Sequence, residues 1–170
     1  PTPTATPTNT PTPTATPTNT PTPTATPTAF PYIGCIFSGG IVFYLNGDGG
    51  GLVAAPSDQH SSIYWAEDYT LFIGTSTNIG SGANNTTEIV NELGNTYSYA
   101  AKTCNDLILN GYDDWFLPSK EELNLMYHEL KNQGIGNFQS EYYWSSSECL
   151  SSPEYPEDSW VQDFNNGSQY

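Results

Sequence analysis

The first 28 residues repeat the decapeptide PTPTATPTNT twice and then continue for eight more residues. Threonine occupies every even position from Thr2 to Thr28, and the odd positions hold only Pro, Ala or Asn. Such a segment has too little apolar surface to offset the entropy of ordering it, so it cannot join a globular core. Because proline fixes φ and removes backbone donors, the sequence predicts an extended arm over residues 1–31. The whole repeat region, residues 1–28, would be roughly 85–90 Å long.

Two interpretations of this arm stay open. It is either an inert linker or an extended strand, because strict alternation matches the period of two of a strand and would place all the hydroxyl groups on one face. Threonine beside proline is also the composition of O-glycosylated stalks, which predicts an extracellular, cell-surface location. The candidate O-glycosylation sites are Thr2, Thr4, Thr6, Thr8, Thr10, Thr12, Thr14, Thr16, Thr18, Thr20, Thr22, Thr24, Thr26 and Thr28.

The remaining residues, 32–170, are enough for one domain with its own core. They hold all 18 acidic residues of the chain against three lysines, so the net charge of −15 lies on one body. Such a field repels nucleic acid, anionic membranes and anionic glycans, and it suits an extracellular surface or divalent cations. No apolar run is long enough to span a membrane, so we expect no direct membrane insertion. The start at Pro1 is interpreted as that of a processed product whose secretion signal has been removed.

The three cysteines, Cys35, Cys104 and Cys149, are too few for a disulfide scaffold, and their odd number leaves at least one unpaired. Their spacing fits no zinc pattern, and neither His60 nor His128 has a second ligand at a useful spacing. We therefore expect no metal site and no cofactor. Either one disulfide forms, by one of three pairings, or the core holds free thiols.

The domain begins with a predicted β-hairpin. Residues 41–45 are apolar, aromatic and β-branched and predict a buried strand, residues 46–49 predict a tight turn, and residues 52–55 predict the returning strand. Asp48 lies among glycines, but the alternating acidic ligands of a calcium loop are missing. A turn is therefore favoured over a calcium site.

A short strand at residues 63–65 and a Gly/Ser/Asn-rich excursion at residues 74–85 are predicted next, followed by two helices. The first helix ends at residues 110–111, where Asn-Gly allows a positive φ. Four residues share its inward face: Ala100, Cys104, Leu107 and Ile108. The second helix is capped by Ser119, with Glu122 completing a capping box. Its apolar stripe consists of Leu123, Met126, Tyr127 and Leu130.

The segment GYDDWFLPS, residues 111–119, joins the two helices. Its Asp pair beside Trp115 has two interpretations, a general-acid pair or turn carboxylates that bind backbone amides. The second is favoured, with Trp115, Phe116 and Leu117 filling the core. The structural motif predicted here comprises Asp114, Trp115, Leu117, Pro118, Ser119 and Glu122.

Several segments together resemble the domain found at the C-terminus of bacterial collagen-like adhesins. They are GGIVFYLN, GLVAAPSDQ, GYDDWFLPSKEELNLMY, YYWSSSE and WVQDF, and the resemblance spans about residues 38–170. That family is similar in turn to C-type-lectin-like folds. The resemblance implies an α+β domain over residues 32–170, with an antiparallel sheet and two helices, preceded by the extended Thr/Pro arm.

Two strands, at residues 142–147 and 160–164, are predicted to flank an acidic, Pro-containing loop at residues 148–159. By analogy with lectin-like folds, the ligand face would lie on this loop and on the strands beside it. Its candidate residues are Trp144, Glu148, Glu154, Glu157, Asp158, Trp160 and Asp163. The triplets that hold calcium and sugar in C-type lectins are missing from this loop, so calcium-dependent sugar binding has no support.

The family usually continues with a further strand that closes the sheet beside the N-terminal strand, whereas this chain stops at Tyr170. In lectin-like folds that strand also carries the partner of the helical cysteine, so the resemblance implies that Cys104 lacks its usual mate. A sheet that is one strand short exposes an edge to other chains. Either the chain is truncated, or a neighbouring subunit inserts an extended segment, with residues 29–38 as the candidate donor. Head-to-tail repetition of that contact would give an open filament.

Three classes of function follow. The favoured one is a secreted, non-enzymatic surface protein that assembles with copies of itself into a filament or adhesive appendage. The second is a monomeric or trimeric glycan-binding module on a stalk, with Tyr64, Trp65 and Trp144 stacking on sugars. The third is a cysteine-dependent oxidase, which is not favoured because Lys102 is the only basic neighbour that could activate Cys104.

Overall fold

The structure is a computed structural model that describes residues 31–66, 72–149 and 158–170. Two antiparallel sheets flank three helices in the described ranges. The strands are β1 (Ile36–Phe37), β2 (Gly40–Leu45), β3 (Gly51–Ala54), β4 (Tyr142–Cys149) and β5 (Asp158–Asp163). The helices are α1 (Gly82–Leu93), α2 (Ala100–Asn105) and α3 (Lys120–Glu129), and a 3₁₀ turn (Lys131–Gln133) follows α3. The domain is therefore α+β, as predicted, and the predicted arm, apart from Pro31, lies outside the described residues.

The predicted N-terminal hairpin is confirmed. β2 pairs antiparallel with β3, with Ile41 opposite Ala54. Asn46 closes the turn, because its side-chain oxygen accepts the backbone N–H groups of Asp48 and Gly50, both at 2.9 Å. Within the described ranges, no group of three or more His, Cys, Asp or Glu residues is placed to hold a metal ion.

The outer edge of β2 is covered by β1 of the same chain. Ile36 lies opposite Ile41, and the N–H of Gly34 donates to the carbonyl oxygen of Val42 at 2.7 Å. Within the segment 29–38, which is the predicted donor to a neighbouring subunit, β1 is thus paired with its own chain.

The sequence predicts only two helices and misses α1. It places an irregular Gly/Ser/Asn-rich segment at residues 74–85, where α1 begins. The buried face of α1 includes Asn85 and Thr86, whose side chains donate to the carbonyl oxygens of Ser76 and Leu117. Polar residues on the buried face hide the apolar periodicity that identifies an amphipathic helix. The domain therefore has three helices instead of two.

Helix α2 is shorter than predicted because the chain turns tightly after it. Leu109 and Tyr112 exchange backbone hydrogen bonds of 2.9 and 3.0 Å, and the Asn-Gly pair between them has positive φ, as predicted. Ile108 was expected to face inward, but the turn leaves it 77% exposed. Cys104 does pack against the core.

The capping box of α3 is confirmed. The hydroxyl of Ser119 accepts the N–H of Glu122 at 3.3 Å, and the carboxylate of Glu122 accepts the N–H of Ser119 at 2.7 Å. Leu123 and Leu130 of the predicted stripe are buried, and the other two residues of the stripe are half-buried. The helix therefore packs through the face that the sequence predicts.

Two apolar clusters form the core. One consists of Trp65, Ala66, Ile89, Tyr99, Ala100, Ala101 and Leu117, and the other of Ile41, Phe43, Ala54 and Leu130. The predicted strand at residues 63–65 is wrong, because no ladder forms there. Instead, the indole N–H of Trp65 donates to the carbonyl oxygen of Ser145 at 2.9 Å and fixes this segment on β4.

The two predicted strands around the acidic loop are confirmed as β4 and β5. The C-terminal residues run back along β5, where Val161 and Tyr170 exchange two backbone hydrogen bonds of 3.0 Å. The N–H of Asp163 also donates to the carbonyl oxygen of Ser168 at 2.9 Å. β5 is therefore paired on both sides, with β4 and with residues 168–170.

Tyr99 links α1 to α2. Its side chain is fully buried, and its hydroxyl donates to the carbonyl oxygen of Gly94 at 2.8 Å, at the C-terminal end of α1. Burial raises the pKa of Tyr99 from 10.0 to about 12, and the nearby Tyr97 and Asp106 add to the shift. Folding therefore holds this phenol in its neutral form.

This shift predicts a loss of stability in alkali. Unfolded chains lose the phenolic proton first, so the stability that Tyr99 contributes is present below pH 10.0 and is lost as the pH rises towards about 12. Tyr99→Phe should cost about 1 kcal/mol at neutral pH and flatten that decline, as measured by urea unfolding at several pH values. Tyr64→Phe is the matched control, because Tyr64 is 66% exposed. Equal pH slopes for the two variants would contradict the prediction.

Candidate functional site

The aromatic residues predicted to contact sugars are mostly used inside the domain. Trp144 is half-buried against the apolar core, and its indole N–H donates to the carbonyl oxygen of Ile63 at 2.8 Å. Trp65 is buried, whereas Tyr64 is 66% exposed. Of these three rings, that of Tyr64 is the most exposed.

Glu148, a second residue of the predicted ligand face, is an internal anchor. It is only 4% exposed, and its carboxylate accepts the backbone N–H groups of Ile73, Gly74 and Thr75 at 2.7, 2.6 and 3.0 Å. The hydroxyl of Thr75 in turn accepts the N–H of Glu148 at 2.8 Å. The carboxylate therefore binds backbone donors of the chain itself.

Asp163 has a similar internal role at the end of β5. Its carboxylate accepts the N–H of Asn165 and the side-chain amide of Asn166, both at 2.7 Å, which closes the turn that leads to the C-terminus. Glu154 and Glu157 lie outside the described residues, as does the side chain of Asp158. Trp160, by contrast, lines a pocket together with Glu148.

A small pocket of about 440 Å³ lies beside Trp160. Phe72, residues 74–77 and Glu148 complete its lining. The ammonium group of Lys120 lies 3.6 Å from the centre of the Trp160 ring, so a cation covers one face of the indole. The volume and the aromatic walls suit a small organic ligand.

The loop before α1, residues 72–81, is held by buried polar groups that the sequence reasoning missed. Asn85 accepts the N–H of Ser76 at 3.0 Å and donates to the hydroxyl of Ser146 at 3.1 Å, while the hydroxyl of Ser147 donates to the carbonyl oxygen of Ser76 at 2.7 Å. The three consecutive serines of the YWSSSE segment were the sequence feature that could have indicated this contact between the loop and β4. Their run of small hydroxyl side chains allows close approach of the loop to β4.

The motif between α2 and α3 has a structural role. Leu117 is buried, the carbonyl oxygen of Pro118 accepts the N–H of Ser146 at 2.7 Å, and the hydroxyl of Ser119 donates to the carbonyl oxygen of Asn78 at 2.8 Å. The favoured role for the Asp pair is not seen, because Asp113 and Asp114 are exposed and bind no turn amide in the described part of the chain. The half-buried Trp115 has a buried indole N–H without an acceptor among those same residues.

All three cysteines are thiols in the structure. Burial raises the pKa of Cys104 from 9.0 to about 12, so very little thiolate exists at neutral pH. The predicted basic neighbour, Lys102, instead pairs with Asp106 and donates to the side-chain oxygen of Asn95 at 2.9 Å. Because the thiolate is the nucleophilic form, this arrangement does not activate Cys104.

A cleft of about 1390 Å³, which we call the inter-sheet cleft, opens between the two sheets. The β2–β3 hairpin lines one side, and α2, the segment before α3 and the β4–β5 pair line the other. Residues on its walls include Leu52, Val53, Leu107, Leu117, Trp144 and Val161. The sequence gives no sign of this cleft, because its walls come from distant parts of the chain.

No helix in the described ranges combines the length and hydropathy needed to cross a bilayer. No curated protein and no solved structure matches the chain. A family model described as the Lcl C-terminal domain matches residues 55–170, from the end of the first hairpin to the last residue. That span includes α1–α3, the capping-box motif and the β4–β5 pair, so the match covers most of the described domain. The chain therefore belongs to the family of the Lcl C-terminal domain.

Proposed function

We propose that this chain is a non-enzymatic structural or adhesive subunit of an extracellular surface filament, assembled through its N-terminal arm. The observation that carries the proposal is the separation of charge along the chain. No charged residue precedes Asp48, whereas the domain carries the whole net charge of −15. Like-charged domains repel one another, so the uncharged arm is the part of the chain best suited to touch another copy.

The fold that we propose for the domain is C-type-lectin-like, on a Thr/Pro arm of the kind found in surface proteins. Membership of the Lcl C-terminal domain family supports a domain placed at the end of a longer surface-type protein. The capped helix α3 and the β4–β5 pair around the acidic loop match the layout expected of lectin-like folds. O-glycosylation of the arm threonines stays a prediction from composition.

The non-enzymatic part of the proposal is supported by the state of the one candidate nucleophile. Cys104 is held as a neutral thiol, and Lys102 is engaged by Asp106. The carboxylates of Glu148 and Asp163, which were candidates for ligand contacts, are used by backbone and side-chain donors of the domain itself. Binding or assembly therefore suits the domain better than turnover.

Negative-stain electron microscopy tests the proposal. The full chain should form fibres of regular repeat, and a variant lacking residues 1–28 should form isolated particles with an unchanged circular dichroism spectrum. Added salt should promote assembly of the full chain, since it screens repulsion between the acidic domains. Isolated particles from the full chain at every salt concentration would contradict the proposal.

A stalk-displayed glycan-binding module is the second candidate, favoured by the pocket between Phe72 and Trp160. Its volume of about 440 Å³ lies in the range of small-ligand sites, and aromatic rings stack on sugar faces. In the same experiment, isolated full-length particles that bind neutral glycans on an array would favour this candidate over the filament.

A further inference from the structure

We propose that the inter-sheet cleft is the acceptor site for the Thr/Pro arm of a neighbouring copy. This inference rests on the proposed function and deepens it, because it names the surface that the arm contacts. The arm adds a strand along the free edge of β3 and fills the space between the two sheets.

The size and lining of the cleft indicate a polypeptide as its occupant. Sites for small molecules commonly have volumes of about 300–1000 Å³, and the cleft has about 1390 Å³. Its walls include apolar side chains of both sheets and of the segment after α2, such as Leu52, Leu107 and Val161. A contiguous apolar surface that is open to water often marks a functional contact site.

The cleft also offers a strand edge. In the described part of the chain, β3 has a partner strand on one side only, because the order of its sheet is β1-β2-β3. Residues 49–55, which include the whole of β3, line the cleft. An unpaired edge beside an apolar slot is the arrangement used when an extended peptide adds a strand to a sheet.

The composition of the arm suits this site. In an extended strand, the N–H and C=O groups of alternate residues point to opposite edges. The arm would thus present all its threonine N–H groups on one edge, while Pro occupies three of every five positions on the other. Because proline has no N–H, the second edge cannot continue the sheet, so pairing stops after one added strand. The arm also brings no charge towards a domain of net charge −15.

The reach of the arm favours a neighbouring copy over the same chain. Pro31 lies at the cleft, so residues just before it would have to reverse at once to enter their own cleft. A domain of about 140 residues has a radius of gyration of about 14 Å, whereas 30 extended residues reach roughly 90 Å. The repeats at residues 1–20 are therefore long enough to reach the cleft of another copy.

A charge placed in the cleft tests the proposal. Leu107→Asp puts a carboxylate on the cleft wall, and Ile108→Asp is the matched control, since Ile108 is the next residue, is 77% exposed and does not line the cleft. Leu107→Asp should raise the concentration needed for fibre formation by about 10-fold or more, because a buried unpaired charge is costly. Ile108→Asp should assemble as the unchanged chain does. Equal assembly of the two variants, with fibres still present, would overturn the cleft as acceptor and leave the filament itself intact.

A cross-link tests the same contact with a small, uncharged change at the rim of the cleft. Ser57 lines the cleft and is exposed, so Ala15→Cys and Ser57→Cys, combined with Cys35→Ser and Cys104→Ala, should be joined between copies by a short bis-maleimide. Denaturing gels should show a ladder of dimers and higher multimers, and the ladder should vanish when Ser57→Cys is left out. A cross-link that forms only within single chains would place the arm in the cleft of its own domain and overturn the role of the neighbouring copy. Fibres that give no cross-link would overturn the site altogether.

Discussion

Replacing Glu148 with glutamine is expected to lower the free energy of unfolding by about 2–4 kcal/mol, because a buried acceptor of several hydrogen bonds is lost. One of its oxygens accepts the N–H groups of Gly74 and Thr75, and the other accepts the N–H of Ile73. An amide keeps only one acceptor and turns an NH₂ group towards a backbone N–H. At least one buried donor is then left without a partner.

Urea unfolding measures this loss, and hydrogen exchange locates it. The amides of residues 73–75 should lose protection in Glu148→Gln well before the amides of β2 do, because the carboxylate holds that segment directly. Glu141→Gln is the control, since Glu141 is exposed, and it should change stability by less than about 0.5 kcal/mol. A Glu148→Gln protein as stable as the control would show that this carboxylate does not anchor the loop.

The parts of the fold that the sequence predicted correctly depend on neighbours in the chain. The first hairpin was predictable because its turn residue Asn46 binds amides only two and four positions away. The capping box of α3 spans three positions, from Ser119 to Glu122. Signals of this kind are complete within one short segment, so no tertiary contact is needed to interpret them.

The parts that the prediction missed depend on contacts between distant segments. Helix α1 begins at Gly82, where a Cβ would lie 2.6 Å from a ring carbon of Phe116, and it buries Asn85 against β4. Neither fact has a local signature. Glu148 likewise follows a strand pattern, and only the folded chain shows that its carboxylate meets backbone 73 residues away in the sequence. The acidic residues predicted to face a ligand were therefore partly those that hold the loop 72–81 in place.

Glu122 is another buried carboxylate that binds the loop before α1. Glu122 is fully buried, and its two oxygens accept different donors, the N–H of Gly80 and the N–H of Ser119, each at 2.7 Å. It therefore joins the start of α3 to the loop before α1, beyond its role in the capping box. Glu148 and Glu122 therefore hold opposite ends of this loop, and Asn85, Ser147 and Ser119 hold its middle.

Glu122→Gln should therefore cost more than an ordinary helix cap, about 2–3 kcal/mol in the free energy of unfolding, because one buried N–H loses its acceptor. Ser119→Ala removes the other half of the box and should cost about 1–2 kcal/mol. Glu121→Gln, one position earlier in the same first turn, should cost less than about 1 kcal/mol, since it loses only a favourable charge near the helix N-terminus. Urea unfolding of the three variants gives the ranking. If Glu122→Gln and Glu121→Gln cost the same, the bond to Gly80 contributes nothing, and Glu148, Asn85 and the serine hydroxyl groups hold the loop before α1 without it.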